Sequence, residues 1–184
     1  AVAPVAPRAL MQAFGEGLYP AFEGWMKKAE GRSVIDYAFH MIVRELTDQA
    51  AIDMDRMVRH DGITSFKLFM AYPGVFYSDD GQVLRAMQTA AECGAMIMMH
   101  AENGIAIDVV AGQTFDEGRT DPYYHGVSRS PVLEGEATNR VIRLAEAAEA
   151  PVYIVHLSST EALVEVKAAR DRGTKAFAET CPQY

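Results

Sequence analysis

The sequence predicts an α/β protein with a parallel sheet, because short apolar segments alternate with amphipathic ones along most of the chain. The 184 residues are 49% hydrophobic and 23% charged, which is typical of a folded domain and not of a disordered chain. The alternation follows the order β-α-β-α-β-loop-α-β-α-β, as expected of right-handed crossovers between parallel strands. Two architectures fit this order: an open doubly wound sheet, complete at about this length, and part of a (β/α)8 barrel, which needs about 250 residues to close.

Each predicted element rests on a local signal. The five apolar segments predicted as strands are residues 35–43, 64–70, 95–100, 152–157 and 175–180. The four amphipathic segments predicted as helices are residues 48–60, 79–93, 133–149 and 158–172. Gly94 and Gly173 follow helices where a left-handed terminating residue is expected, and Pro151 forbids continuation of the third helix. Ser158, three residues before Glu161, resembles a capping box that opens the last helix.

The segment from 103 to 131 is predicted to be a long loop, because Gly112, Gly118, Pro122 and Gly126 interrupt it. Loops of this length inside a domain are usually functional or disordered. The chain is otherwise divided into a proline-rich tether, residues 1–9, and one α/β domain, residues 10–184, which is either an open sheet or part of a barrel. The tether is not predicted to be a signal peptide, since no uninterrupted apolar region follows it.

Charge and cysteine content exclude several classes of protein. The 17 basic and 25 acidic residues give a net charge of −8, which offers no broad basic surface for nucleic acid or an anionic membrane. No apolar run approaches the roughly 20 residues needed to span a bilayer. Two cysteines without CxxC spacing are too few for a disulfide framework, so a reducing, cytoplasmic setting is the expectation.

Sequence motifs narrow the chemistry further. There is no GxxxxGK[ST] phosphate-binding loop, and Gly15-Glu16-Gly17 lacks a third glycine and a preceding strand. A nucleotide-binding open sheet therefore has only the chain length in its favour. The absence of a G-x-S-x-G elbow is evidence against an α/β-hydrolase that uses a serine nucleophile.

Polar residues near the carboxyl ends of three predicted strands form the candidate site, since ligands bind at that edge of α/β sheets and barrels. They are Lys67, His100 and His156. Alternation places His100 on the face of Met96 and Met98, and it predicts that His156 shares a face with its own strand's residues 152 and 154. Each residue alone has a structural interpretation, a hydrogen-bonded core histidine or a lysine at the rim.

Taken together, these three residues suggest a metal site. A buried lysine loses charge because burial lowers its pKa. Its neutral amine can then add carbon dioxide to give a carbamate, an oxygen ligand that suits Zn²⁺ together with two imidazoles.

Other polar residues receive weaker assignments. Glu102 follows His100 closely enough to orient it or to bind a neighbouring loop, and His40 is interpreted as a core residue or a neighbour of the site. The acidic residues of the third helix, among them Glu134, are interpreted as a solvated face. Most methionines are predicted to pack in the core.

Four sequence blocks resemble the dihydropyrimidinases and D-hydantoinases, cyclic amidases of the amidohydrolase superfamily. The blocks are GITSFKLFMAY at 62–72, MHAENG at 99–104, VHLSS at 155–159 and ETCPQY at 179–184, with EGEAT at 134–138 between them. The resemblance extends from about residue 10 to the last residue. It implies a (β/α)8 barrel, of which this chain would supply about strands three to seven, and an additional β-rich domain.

The resemblance also implies roles for individual residues. Lys67 would be carboxylated and bridge two Zn²⁺ ions, or Mn²⁺ or another divalent metal, and His100 and His156 would complete one of the metal sites. Tyr72 would hydrogen-bond the substrate carbonyl as it becomes an oxyanion. Phe69 and Phe76 would shape the pocket for the ring substituent.

The implied reaction is metal-dependent opening of a 5,6-dihydropyrimidine or 5-substituted hydantoin, as in pyrimidine degradation, to an N-carbamoyl amino acid. A small cyclic diamide would be the substrate, and a homotetramer the expected assembly. An allantoinase-type amidase and a non-catalytic dihydropyrimidinase-related scaffold are the alternatives. The family's His-x-His and late-strand aspartate have no counterpart in this sequence, so residues 1–184 alone are expected to be unstable or inactive.

Overall fold

A computed structural model describes residues 17–184, which fold into one parallel sheet with helices packed on one side. The strands are β1 Met41–Ile42, β2 Ser65–Phe69, β3 Met96–His100, β4 Val152–Ile154 and β5 Ala176–Ala178. The helices are α1 Tyr19–Ala29, α2 Asp48–Arg56, α3 Asp80–Cys93, α4 Gly104–Asp116, α5 Tyr123–Val127, α6 Pro131–Ala147 and α7 Thr160–Asp171. A π-helical turn, Met57–Asp61, continues α2. The predicted tether lies outside the described residues.

The order of the strands decides between the two predicted architectures. The five strands are parallel and adjacent in chain order, β1-β2-β3-β4-β5, with no point at which the order reverses. A doubly wound sheet has such a reversal, which places helices on both faces. Strands in unbroken order send every right-handed crossover to the same face, as in the wall of a (β/α)8 barrel. The sheet is therefore an arc of a barrel.

The two faces of this arc differ in burial. The helix-facing side chains are buried and form the core with the helices: Met41, Phe66, Leu68, Ile97, Met99, Val152 and Ile154. The opposite face would line the barrel interior, and its side chains are half-buried: Ser65, Lys67, Phe69, Met96, Met98 and Tyr153. Alternation along each strand, visible in β2 as a strict exchange of half-buried and buried positions, produces this division. The candidate ligand Lys67 thus lies on the interior face.

Helix ends mostly agree with the sequence signals. Gly94 and Gly173 adopt left-handed conformations, with φ of 79° and 91°, at the predicted helix ends. The capping residue of α7 is Ser159, whose hydroxyl accepts a hydrogen bond from the Ala162 N–H at 3.2 Å. The prediction of Ser158 as the cap is wrong by one residue, because its side chain bonds Glu134 instead.

The predicted long loop from 103 to 131 contains two helices, α4 and α5. Asn103 caps α4 by accepting from the Ala106 N–H at 3.1 Å. Gly112 lies inside this helix without breaking it, and Gly118, with φ of 73°, follows its end. An isolated glycine weakens a helix by only about 1 kcal/mol, so Gly112 does not prevent α4 from forming.

Helix α1 is a further element that the alternation did not predict. Its Phe22 is buried in the core, and the Leu18 N–H before it donates to the buried Asp53 carboxylate at 2.6 Å. The methionines Met54, Met57, Met70, Met87 and Met99 are buried, as predicted. Within residues 17–184, no helix is both long enough and apolar enough to cross a membrane.

Candidate active site at the carboxyl edge of the sheet

Strand register brings Lys67 and His100 to one face of the sheet. Lys67 pairs with Met98, and Phe69 pairs with His100, so residues of the same parity on β2 and β3 project together. His100 is 7% exposed and ends β3 at its carboxyl edge. This register places both side chains on the same face of the sheet, the one that would line the interior of a closed barrel.

His156 also lies beside His100, but the predicted alternation along β4 does not place it there. Val152 and Ile154 pair with Ile97 and Met99, whose side chains face the helices. Simple alternation would therefore turn His156 away from His100, and the predicted shared face is wrong. Strand β4 ends at Ile154, and His156 itself has a left-handed φ of 41°. This turn places the His156 ring 4.6 Å from the His100 ring, centroid to centroid.

Phe69 forms the centre of an aromatic cluster that joins the candidate residues. Its ring stacks on His100, with centroids 5.6 Å apart, and on Phe76 at 5.0 Å. The Lys67 Nζ lies 3.6 Å from the Phe69 centroid, and the Tyr72 ring lies 5.2 Å from His100. The structure thus brings together the six candidate residues: Lys67, Phe69, Tyr72, Phe76, His100 and His156.

Burial lowers the pKa of two nitrogen bases in the candidate site, Lys67 and His156. It lowers the pKa of Lys67 to about 7, although the Nζ retains one hydrogen bond, to the Leu68 carbonyl at 3.2 Å. Burial also lowers the pKa of His156, and the nearby His100 and Lys67 charges lower it further. At neutral pH His156 is therefore an uncharged imidazole, the form that binds a metal.

Glu102 orients His100, as its position in the sequence suggested. The His100 Nε2 and a Glu102 carboxylate oxygen are 2.7 Å apart. Burial alone would raise the pKa of Glu102, but the hydrogen bond to His100 and the charges of His100 and Arg129 outweigh it and lower the pKa. Arg129 approaches Glu102 to 3.9 Å. With Nε2 bound in this way, Nδ1 is the nitrogen of His100 left for a ligand.

Tyr72 projects from the turn that follows β2. It is 40% exposed and has a left-handed φ of 63°, and its carbonyl accepts from the Val75 and Phe76 N–H groups, each at 3.0 Å. Burial and the neighbouring Glu102 carboxylate raise the pKa of Tyr72, so its hydroxyl is protonated and can donate. Arg44 donates from Nε to the Val75 carbonyl at 3.0 Å, which ties the turn to the end of β1.

A cavity of about 310 Å³ opens beside the two histidines. Its lining includes residues that the sequence did not mark as part of a site, namely Arg129, Glu134, Ser158 and Tyr184. Glu134 is buried, so its assignment to a solvated face is wrong. Its spacing from Thr138, Val141 and Ala145, all buried, follows one face of a helix and is the signal that could have revealed this.

Two other histidines, His40 and His125, lie near the candidate site. His40 bonds the Ser65 hydroxyl through Nδ1, on the interior face next to Lys67. His125 lies at the cavity edge, where Arg129 donates to its Nδ1 at 3.2 Å. Neither is within the cluster around Phe69.

The donor set is compatible with a metal if Lys67 is modified. Among residues 17–184 there is no group of three or more His, Cys, Asp or Glu side chains arranged to hold an ion. Two adjacent imidazoles are present, and the third donor would be Lys67. A protonated amine cannot bind a metal, whereas a carbamate on the same nitrogen provides oxygen ligands. The residues present fit a metal centre on that condition.

Known proteins similar to this chain share one family. No protein-family model matches the chain. It is 58% identical to D-hydantoinase of Streptomyces coelicolor over 174 residues, 95% of this chain and 37% of that protein. It is 40% identical to dihydropyrimidinase of Arabidopsis thaliana over 88% of this chain and 30% of that protein.

Solved structures give the same result. Dihydropyrimidinase from Brevibacillus agri superposes with a TM-score of 0.90 at 43% identity, covering 92% of this chain and 37% of that one. D-hydantoinase from Bacillus sp. AR9 superposes with a TM-score of 0.90 at 42% identity, covering 93% and 38%. The chain thus spans about a third of the length of these relatives. In sequence and in fold it belongs, over that third, to the D-hydantoinase and dihydropyrimidinase family.

Proposed function

We propose that the whole protein carrying this segment hydrolyses a cyclic amide, a 5,6-dihydropyrimidine or a 5-substituted hydantoin, to an N-carbamoyl amino acid. The observation that carries the proposal is a chain of contacts at the carboxyl edge of a barrel arc: Lys67 and His100 both lie against Phe69, and His156 lies against His100. The names of the relatives, D-hydantoinase and dihydropyrimidinase, support the same substrate class.

Lys67 is assigned the role of carbamylated ligand. Its pKa of about 7 leaves a substantial uncharged fraction at neutral pH, and only the uncharged amine adds carbon dioxide. The addition forms one N–C bond and releases one proton, giving an anionic carbamate. His100, held through Nε2 by Glu102, and the neutral His156 would complete the protein donors on this segment.

A divalent metal, Zn²⁺ or Mn²⁺, would polarise the ring carbonyl and make water nucleophilic near neutral pH. The neighbouring residues of this chain have their own tasks. The protonated Tyr72 hydroxyl donates to the carbonyl oxygen as negative charge develops on it. Phe69 and Phe76 form an apolar wall that binds the ring or its substituent. The His-x-His pair and the aspartate of the family would come from other parts of the whole protein.

The test is the metal content and activity of the full-length protein, with and without Lys67. We expect the wild-type protein to contain divalent metal by elemental analysis and to hydrolyse dihydrouracil or hydantoin. Lys67→Ala should lose metal and reduce turnover by at least 100-fold, because it removes one ligand outright. The matched control is Lys28→Ala, since Lys28 lies over the Trp25 ring on α1 and not in the site.

Two results would contradict the proposal. One is a Lys67→Ala protein that retains its metal and turnover, which would remove Lys67 from the site. The other is a wild-type full-length protein that binds no metal and does not hydrolyse dihydrouracil, hydantoin or allantoin. That result would favour the non-catalytic scaffold. Turnover of allantoin alone would move the assignment to the allantoinase-type amidase.

We also propose, from the family resemblance, that the whole protein is a cytoplasmic homotetramer. Light scattering coupled to size-exclusion chromatography measures the assembly, and a monomer would contradict it. Cell fractionation measures the location.

A further inference from the structure

The segment that carries His156 is fastened by a buried carboxylate from a helix. Glu134, in the first turn of α6, is 9% exposed. One of its oxygens accepts from the Ser158 main-chain N–H at 2.8 Å, and the other accepts from the Ser158 hydroxyl at 3.0 Å. Ser158 lies two residues after His156, so the carboxylate acts on the turn that orients the imidazole.

The conformation of this turn requires such support. His156 has a φ of 41°, a region that non-glycine residues occupy only when their surroundings impose it. The main chain on either side is bonded to the neighbouring strands, since the Val155 N–H donates to the Met99 carbonyl at 3.2 Å and the Leu157 N–H to the Glu179 carbonyl at 2.7 Å. Glu134 anchors the next N–H, so bonds on both sides of His156 hold it in the left-handed conformation.

Close packing of α6 on α7 brings Glu134 within reach. A Cβ added to Gly135 would lie 2.8 Å from the Glu161 Cβ on α7, so only glycine allows this approach. Ser159, next to Ser158, caps α7. Glu134 therefore connects α6 with the turn between β4 and α7.

We propose that Glu134 is a positioning residue for His156, holding its imidazole beside His100 through Ser158. The inference rests on the proposed function in taking His156 as a metal ligand. Without the carboxylate, the turn loses its bonds to Ser158 and can relax toward the extended conformation, in which alternation directs His156 to the helix face.

The experiment compares three variants of the full-length protein. Glu134→Ala removes both acceptors, whereas Glu134→Gln keeps the shape, an acceptor for the Ser158 N–H and a donor for the Ser158 hydroxyl. Ala145→Gly is the matched control, because it weakens the buried face of the same helix without touching Ser158. The readouts are the crystal structure of each metal-free variant, the zinc dissociation constant by chelator competition, and the visible spectrum of the cobalt-substituted protein.

We expect Glu134→Ala to displace the His156 ring from His100, to weaken zinc binding by about 10-fold or more, and to alter the cobalt spectrum. Glu134→Gln should stay close to the unmodified protein, and Ala145→Gly should lower thermal stability without changing zinc affinity or the cobalt spectrum. A Glu134→Ala structure with the His156 ring in place and zinc affinity unchanged would overturn the inference. So would an Ala145→Gly protein with the same loss of affinity, since the effect would then be general destabilisation.

Failure of the proposed function gives a different result. His156→Ala that binds zinc as tightly as the unmodified protein would show that His156 is not a ligand, whatever Glu134 does. The metal-free crystal structures still decide the positioning, because they report the His156 ring itself.

Discussion

Phe69 organises the candidate site at the scale of single residues. Its ring stacks on the His100 and Phe76 rings, and the Lys67 Nζ lies 3.6 Å from its centroid. A cation over an aromatic face is stabilised, while burial destabilises the same charge. Burial lowers the pKa of Lys67 to about 7. Phe69 is therefore one of the apolar groups around the Lys67 amine, and in the proposed function it also forms a wall for the ligand.

Substitution of Tyr72 tests the chemistry at this scale. In the full-length protein, Tyr72→Phe should lower kcat by about 100- to 1000-fold with little change in KM, because an oxyanion donor acts mainly in the transition state. Steady-state kinetics on dihydrouracil or hydantoin measure the effect. Tyr77→Phe, in the same turn, is the control and should stay within about twofold. An equal effect of both substitutions would assign Tyr72 a structural role.

Close contacts between secondary-structure elements hold the turn that carries Tyr72. The Gly104 N–H, at the start of α4, donates to the Met70 carbonyl at 3.0 Å. A Cβ at Gly104 would lie 2.6 Å from the Ala71 Cα, which is backbone and cannot rotate away. The absence of a side chain at position 104 therefore lets helix α4 approach the turn after β2.

Substitution of Gly104 tests this contact between α4 and the turn. Gly104→Ala in the full-length protein should push the turn outward and reduce kcat/KM by about 100-fold, since displacement by about 1 Å costs that much where groups must be aligned. Gly112→Ala, on the same helix with open space around it, should keep full activity and slightly raise the melting temperature. Activity assays and thermal melts measure both, and normal turnover in Gly104→Ala would show that the contact does not constrain the turn.

At the scale of the whole molecule, the described residues form an arc of a barrel with an uncovered inner face. Lys67, Met98 and Tyr153 are half-buried on this face, and Phe177 is 40% exposed. Within residues 17–184, β1 and β5 are edge strands with one partner each. Closure of a barrel would cover the inner face and pair both edges.

Residues 1–184 expressed by themselves are therefore expected to associate and to lack turnover, whereas a protein extended at both ends to the length of its relatives should be soluble and active. Exposed apolar faces and open edges of a parallel sheet favour association. Light scattering and hydrolysis assays on the two proteins, side by side, measure this. A monodisperse short chain with full turnover would contradict it.

The sequence by itself was sufficient for the strand and helix alternation, for the caps at Gly94 and Gly173, and for the placement of Lys67 and His100 on strands of the sheet. These follow from periodicity and local conformational preference, which depend only on neighbours along the chain. It failed for residues 103–131, where helix caps and burial outweighed glycine content, and for Glu134, where only the packing of α6 reveals that the carboxylate is buried.

Tertiary structure decided the rest. The unbroken strand order selected a barrel arc over a doubly wound sheet, because strand pairing joins residues far apart in the sequence. The tertiary structure also decided the direction of the His156 side chain. The turn after β4 reverses the side that alternation predicts, and hydrogen bonds to Met99, Glu179 and Glu134 hold this turn. Local pattern determines which residues form a strand, whereas long-range hydrogen bonds determine where the strand ends and which way the next side chain points.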